Sequence, residues 1–156
     1  MATWSEFETA APELAAVVRD RLDAHKHKTI ATLRRDGSPR ISGTESQFID
    51  GELWIGSMWR ARKAIDLQRD PRFALHSGSD EPDGWSGDAK LAGVAEEITD
   101  PERVRELNGE AAAGGPSHLF RLDLREVSTV GLDDARTKLV IDVWTPERGV
   151  RRIERA

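Results

Sequence analysis

Residues 53–75 read LWIGSMWRARKAIDLQRDPRFAL, and this stretch decides the fold. It opens with a short apolar strand, and from residue 61 onward its apolar residues recur with the 3.6-residue period of a helix. Asp70-Pro71 ends this helix, because the residue before a proline is disfavoured in the helical region. Phe73 and Leu75 then alternate with polar or small neighbours. The stretch therefore predicts a strand, a helix and a further strand.

Two Asp-Gly pairs separate three strands at and before this stretch. Thr29–Leu33 runs into Asp36-Gly37, and Arg40–Ile49 runs into Asp50-Gly51. An Asp-Gly pair supplies the positive φ angles of a tight hairpin turn. We therefore expect an antiparallel meander of three strands, preceded by an amphipathic helix over residues 11–25.

The chain after residue 75 continues the alternation of strands and helices. Asp-Pro at residues 100 and 101 has the form of an N-cap followed by proline at the first helical position. The predicted elements are a surface loop over 78–88, a strand over Ala89–Ile98, a helix carrying Val104, Leu107 and Ala111 and closed by Gly114-Gly115-Pro116, two alternating strands over 120–125 and 138–143, and an arginine-rich tail from Arg148 to Arg155.

This order of elements, α-β-β-β-α-β-β-α-β-β, predicts a mainly β protein of the α+β class. Tight turns join most consecutive strands, so antiparallel pairing dominates, and a small barrel would leave no unpaired edges. A length of 156 residues suits one domain. We expect the N-terminal helix within residues 1–26, and residues 146–156 form a C-terminal tail.

Composition narrows the class of protein. The 23 basic and 28 acidic residues give a net charge of −5, which argues against binding to nucleic acid or to an anionic membrane surface. No apolar run approaches the ~20 residues that cross a bilayer. The absence of cysteine fits a reducing compartment, and the first residues lack the pattern of a signal peptide. We therefore expect a cytoplasmic protein.

The inventory of reactive side chains is small. The chain has no Cys and no Tyr, no G-x-S-x-G elbow and no H-E-x-x-H helix, so a hydrolase is disfavoured. Of the four histidines, His25 and His27 are interpreted as a solvated helix end, His76 as a strand residue and His118 as a local hydrogen-bond partner. No catalytic residue and no metal site is predicted.

One group of residues indicates an anion site. Backbone N–H groups at a helix start attract phosphate, and side-chain hydroxyls and cations strengthen the attraction. An equally good alternative is a solvated basic helix face, in which Arg62 pairs with Asp66 four residues on. The group that would hold a phosphate comprises Arg40 on the second strand, Gly56 and Ser57 at the end of the third, and Arg60, Arg62 and Lys63 at the start of the helix.

The stretch 53–75, together with the hairpin over residues 30–42, resembles the pyridoxamine 5'-phosphate oxidase-like flavin-binding split-barrel proteins, and the likeness runs from about Thr29 to Trp144. It implies a six-stranded antiparallel split barrel over residues 1–156, normally a homodimer with FMN at the subunit interface. The resemblance assigns the flavin phosphate to Arg62, Lys63 and Arg40, the side of the flavin ring to Ile41 and Ser42, and the ribityl chain and phosphate to Gly56 and Ser57.

The resemblance leaves the reaction open. The terminal tryptophan–arginine elements that pyridoxamine phosphate oxidases use for substrate are not recognisable, and Trp144 and Arg148 match them poorly. Similar proteins use a 5-deazaflavin, coenzyme F-420, in the same groove, and an extra cation such as Arg60 is compatible with its longer tail. The leading hypothesis is a flavin-dependent oxidoreductase acting on a small molecule.

Two alternatives remain beside that hypothesis. One is a flavin-binding or stress-related module without turnover, and the other is a structural domain with an empty barrel.

A homodimer is expected as well, because exposed aromatic residues favour interfaces. The alternative for Trp54 is that it fills the core. The tryptophans on which this expectation rests are Trp54, Trp59, Trp85 and Trp144.

Overall fold

In the part of the chain that the structure describes, strands dominate and four helices flank them. The computed structural model describes residues 1–109 and 116–156. The strands are β1 (His27–Leu33), β2 (Pro39–Ile49), β3 (Glu52–Met58), β4 (Arg72–His76), β5 (Asp88–Glu97), β6 (Ser117–Leu132), β7 (Leu139–Thr145) and β8 (Gly149–Arg155), and the helices are α1 (Trp4–Ala10), α2 (Pro12–Asp23), α3 (Arg62–Arg69) and α4 (Pro101–Asn108).

Six strands close into an antiparallel barrel. Their order is β3-β2-β1-β4-β5-β6, and β3 pairs with β6 from Trp54↔Arg121 to Met58↔Ser117. This closure confirms the predicted six-stranded antiparallel barrel and removes the edges of its sheet. It also brings the end of β3 next to the start of β6, which lie about sixty residues apart in the sequence.

The barrel is filled by the inward-facing half of each alternating strand. Ile30, Ile55 and Leu122 are completely buried, as the period of two requires for a strand with one face on the core. Trp54 and Trp144 are also buried, at 5% and 2% exposure. Trp54 packs in a smaller cluster with Val104 and Leu107 of α4, and Trp144 of β7 packs against Phe7 of α1, so both are core residues outside the barrel interior.

The N-terminus forms two helices, whereas the sequence patterns predict one over residues 11–25. Thr3 and Glu6 form a capping box at the start of α1, each side chain accepting a hydrogen bond from the other residue's backbone N–H. Trp4 and Phe7 of this helix are completely buried. Pro12 occupies the first turn of α2, as expected. Helix α1 therefore adds aromatic residues to the core.

The two Asp-Gly pairs make different turns. Asp50 and Gly51 have φ angles of 53° and 76°, as in a two-residue hairpin of type I′. At the first pair only Gly37 has a positive φ, 83°. The loop there runs from Arg34 to Ser38, closed by the Arg34 N–H donating to the Ser38 carbonyl. Both predicted hairpins therefore form. Asp50-Gly51 makes a two-residue turn, whereas at Asp36-Gly37 the Gly37 N–H donates to the Arg34 carbonyl at 2.9 Å and closes a turn within a longer loop.

The arginine-rich C-terminus is a strand and not a tail. Strand β8 pairs with β7 along its length, from Leu139↔Arg155 to Thr145↔Gly149. Arg152 forms a two-pronged ion pair with Asp142 across the hairpin. Most of β8 is exposed, so the buried alternation that normally reveals a strand is absent from its sequence.

Helix α4 and strands β3 and β6 position one wall of the candidate site. Asp100 caps α4 by accepting from the Glu102 N–H, with Pro101 at the first helical position, which confirms the predicted start. The predicted positions Ala111, Gly114 and Gly115 lie outside the described residues. Within residues 1–109 and 116–156, no helix has the length and apolar character needed to cross a bilayer.

Candidate functional site

A groove of about 450 Å³ opens beside the barrel, where β2, β3 and α3 meet the ends of α4 and β6. Its volume is in the range of small-molecule sites. Three predicted residues line it, Gly56, Ser57 and Lys63. Its other lining residues are His27, Gly43, Thr44, Glu45, Ser46, Gln47, Met58, Ala61, Asn108 and Ser117.

Lys63 brings a cation to the groove. It is the second residue of α3, and its Nζ donates to the carbonyl of Gly43 at 2.8 Å. Burial lowers the pKa of Lys63 below its ordinary value, and the carboxylate of Glu45 opposes part of that shift. An ammonium has three donors, so two N–H groups beyond the one bound to Gly43 can reach a ligand.

The start of α3 adds backbone donors next to Lys63. Its N-cap is Ala61, whose methyl side chain cannot accept a hydrogen bond from the first N–H groups of the helix. Uncapped N–H groups at a helix start carry a partial positive charge and bind anions. Ala61 itself lines the groove, so this end of α3 faces the same space as the Lys63 amine.

The end of β3 forms the floor between α3 and α4. Ser57 is 8% exposed, and its hydroxyl makes a long contact of 3.4 Å with the Met58 carbonyl. At Gly56, a Cβ would lie 3.2 Å from Oδ1 of Asn108. The glycine therefore lets the amide of Asn108 lie close over the strand, and that amide donates to the Ser117 hydroxyl at 3.0 Å.

Arg40 is held away from the groove by a buried carboxylate. Its Nε donates to Oδ2 of Asp66 at 2.7 Å, and the same carboxylate accepts from Thr32 and Arg69. Burial opposes ionisation of Asp66, but the hydrogen bonds from Arg40, Thr32 and Arg69 outweigh it and keep the pKa of this carboxyl below its usual value. The alternative pair of Arg62 with Asp66 is therefore wrong, since Arg40 and Arg69 are its cationic partners.

The other predicted site residues lie around the groove without lining it. Arg62 begins α3 and is exposed, and Arg60 is exposed with a positive φ of 59°. Ile41 is 74% exposed and pairs with Ala31, and Ser42 is half-buried. The structure thus brings together Gly56, Ser57 and Lys63, and it leaves the remaining predicted residues on adjacent surfaces.

Two titratable side chains in the groove are not predicted from the sequence. His27 and Glu45 pair across β1 and β2, with His27 Nδ1 at 3.8 Å from a Glu45 carboxylate oxygen. The sequence assigns His27 to a helix end, but it is the first residue of β1. The register of β1 with β2 brings the two side chains together, and no local sequence pattern contains that register. The described groove therefore holds an acid–base pair beside its cation.

The remaining histidines are engaged elsewhere. His25 contacts Asp80 at 2.8 Å, His76 lies 3.8 Å from Asp88, and His118 contacts Glu97 at 2.6 Å. Across residues 1–109 and 116–156, no three His, Asp or Glu side chains are grouped so as to hold a metal ion.

The closed six-stranded antiparallel barrel, with a groove beside its third strand, places the chain in the class of split-barrel folds. The family model described as pyridoxamine 5'-phosphate oxidase matches residues 14–131, which is most of the chain. The chain therefore belongs to the pyridoxamine 5'-phosphate oxidase-like family. No curated protein is significantly similar to it.

Solved structures with this fold differ in their described roles. A conserved hypothetical protein of Mycobacterium tuberculosis is 23% identical, with a TM-score of 0.61 over 72% of this chain and 81% of its own. A heme binding protein of Mycobacterium smegmatis is 18% identical, with 0.61 over 93% and 88%. A putative pyridoxamine 5'-phosphate oxidase of Listeria innocua is 15% identical, with 0.61 over 74% and 96%. These similarities show the fold alone.

Proposed function

We propose that the groove binds FMN and that the protein is a flavin-dependent oxidoreductase acting on a small molecule. The observation that carries the proposal is the Lys63 amine, whose only hydrogen-bond partner among the described residues is a neutral carbonyl, beside the uncapped start of α3. This donor set fits a phosphate monoester, which needs several N–H or O–H donors and a positive charge.

Each end of the groove has a separate task in this proposal. Lys63, Ser57 and the first N–H groups of α3 hold the phosphate. The amides of Gln47 and Asn108 are tied to the Leu107 carbonyl and the Ser117 hydroxyl, which leaves their oxygens as acceptors for the ring. When bound, FMN supplies hydride and electron transfer, which a chain without Cys or Tyr does not supply itself.

The groove also offers a proton source for such a reaction. His27 and Glu45 line it within 3.8 Å of each other, and imidazole and carboxylate groups are the commonest general acids and bases in enzymes. This pair favours turnover over the alternative of a flavin-binding module without activity. The choice between FMN and the deazaflavin F-420 rests on which cofactor binds more tightly.

The test is a titration of the purified protein with FMN and with riboflavin, which lacks the phosphate. We expect FMN to bind more tightly, and Lys63→Ala to weaken FMN about 10- to 100-fold, as one charge-assisted hydrogen bond of about 1.5–3 kcal/mol implies. Riboflavin binding should not change. Lys90→Ala, at an exposed lysine outside the groove, is the matched control. Equal affinities for FMN and riboflavin in the wild type contradict the phosphate site.

Heme is a second candidate ligand. The structurally similar heme binding protein of Mycobacterium smegmatis aligns with 93% of this chain, and the His27 imidazole in the groove would hold the heme iron if heme bound there. A Soret band that sharpens and shifts from that of free hemin in the wild type, but not in His27→Ala, would support heme binding. Flavin absorption that survives this substitution would support FMN.

We also propose a homodimer. Trp59, Met58 and Ile41 remain 55–81% exposed near the groove, and large exposed apolar side chains near a site are typical of interfaces. Light scattering during size-exclusion chromatography should give twice the chain mass of 17.3 kDa. A mass equal to that of one chain contradicts the dimer.

A further inference from the structure

His118 connects the groove to the rest of the barrel through two hydrogen bonds. It lies in β6 opposite Ser57 and is 4% exposed. Its Nδ1 is 2.6 Å from Oε1 of Glu97, and its Nε2 accepts from the backbone N–H of Arg60 at 3.1 Å. An imidazole that accepts at Nε2 and faces a carboxylate at Nδ1 is neutral and carries its proton on Nδ1.

The segment that His118 holds comprises residues 58–61, which are the last residue of β3 and the connection to α3. We call this segment the strap. Met58 and Ala61 of the strap line the groove. Arg60 takes a positive φ of 59°, an uncommon conformation for a residue with a side chain. The Trp59 ring stacks on the His118 ring at 4.8 Å with an interplanar angle of 9°. Two contacts with one imidazole therefore support a strained backbone.

The same network reaches the other end of α3. Glu97 uses its second oxygen, Oε2, to accept from Nε2 of Gln68 at 2.8 Å. A single carboxylate thus joins His118, which holds the strap before α3, to Gln68 in the last turn of the helix. Since Lys63 and the uncapped N–H groups lie between these two anchors, the network sets where the cationic end of α3 stands.

We propose that neutral His118 is a positioning residue: by accepting from the Arg60 N–H, it holds the strap and the start of α3 in the geometry that receives the anion. The ligand part of this inference rests on the proposed function, whereas the strap geometry does not. His118 touches no ligand atom in this scheme. It acts through the strap and through Lys63.

The chemistry of imidazole makes this role dependent on protonation. A second proton on His118 turns Nε2 from an acceptor into a donor, so the Arg60 N–H loses its partner. The titratable groups in contact with His118 are the Glu97 carboxylate from β5 and the strap residue Arg60, which makes contact through its backbone. Adding that proton should therefore loosen the strap.

Two substitutions separate the two hydrogen bonds. In His118→Gln the side-chain Oε1 falls near the position of Nε2 and can accept from Arg60, but no donor reaches Glu97. In His118→Asn the side-chain Nδ2 can donate to Glu97, but nothing accepts from Arg60. Both variants remove the titrating imidazole, and melting temperatures establish that each variant is folded.

The first measurement needs no ligand. Nitrogen-15 NMR of the wild type should show His118 protonated on Nδ1, and the Arg60 amide and Trp59 indole signals should shift with the same midpoint as the His118 ring. An imidazole protonated on Nε2 at neutral pH, or an Arg60 amide that does not follow the ring, overturns the proposal. This result stands even if FMN fails to bind, an outcome that would contradict only the proposed function.

The second measurement is FMN affinity against pH. The phosphate of FMN titrates near pH 6 itself, so only the difference between wild type and His118→Gln reports on His118. We expect His118→Gln to keep affinity within about twofold and to lose the additional weakening at acid pH. His118→Asn should bind about fivefold more weakly at neutral pH, as the loss of one hydrogen bond implies. Equal losses in both variants overturn the proposal.

Discussion

Replacing Asp66 by alanine should destabilise the protein more than replacing any other described carboxylate residue that forms an ion pair. Asp66 is 3% exposed and accepts from Thr32, Arg40 and Arg69 at 2.9, 2.7 and 3.2 Å. Removing one partner of a buried ion pair typically costs about 3–5 kcal/mol. Arg40 and Arg69 are 21% and 32% exposed and keep part of their hydration, so we expect about 3 kcal/mol.

Urea denaturation measures this loss, and the m-value should not change, because the same surface is exposed on unfolding. For a domain of this size, a loss of about 3 kcal/mol lowers the melting temperature by roughly 6–12 °C. Asp70→Ala removes a carboxylate that is 28% exposed and pairs with Arg72; it is the matched control, with a smaller expected effect because Asp70 is less buried than Asp66. A loss of less than about 1 kcal/mol in Asp66→Ala refutes the reasoning.

Acid should weaken the same interaction. The pKa of Asp66 is lower in the folded protein than its usual value, so the folded state favours the carboxylate. The resulting stability is present above the unfolded-state pKa of about 3.9 and is lost as pH falls through the lower folded-state value. Asp66→Asn should therefore flatten the decline of stability on the acid side, measured as urea midpoints over that range.

Three further predictions follow from individual positions. Gly93→Ala should cost about 3 kcal/mol or more in urea denaturation, because its Cβ would lie 1.8 Å from the backbone oxygen of Asp123. Gly51→Ala should cost about 1–2 kcal/mol, because φ is 76° at this turn. FMN affinity should fall at alkaline pH with a midpoint below 10.5, the ordinary pKa of lysine. Burial lowers the pKa of Lys63, and only the protonated amine attracts phosphate. Lys63→Arg should move the fall in affinity to higher pH.

The barrel could be predicted from the sequence because most of its strands have one buried and one exposed face. The period of two then shows in the residues, and Asp50-Gly51 marks a turn by its own backbone preference. Strand β8 lacks this information, since both of its faces are largely exposed and only pairing with β7 makes it a strand. Helix α1 could have been found from the T-x-x-E capping box at Thr3 and Glu6.

The site was harder to predict because its walls come from distant parts of the sequence. Asn108 and Ser117 reach the groove only through the pairing of β3 with β6. His27 is next to Glu45 only through the register of β1 with β2. No local pattern contains either relationship, whereas Ser57 and Lys63 share one strand–helix connection and could be predicted together.

The contrast between Arg40 and Lys63 shows why a cation alone does not define an anion site. Lys63 lies in α3 and Arg40 lies beside it, yet their partners differ. Arg40 faces a buried carboxylate that compensates its charge, whereas Lys63 donates to a neutral carbonyl. Replacing Arg40 by Met should therefore affect mainly stability, because it leaves Asp66 with one guanidinium fewer, and Lys63→Met should affect mainly FMN affinity. If Arg40→Met weakened FMN as much as Lys63→Met at equal stability, Arg40 would have to leave Asp66 when the ligand binds, and the compensated pair would be part of the site.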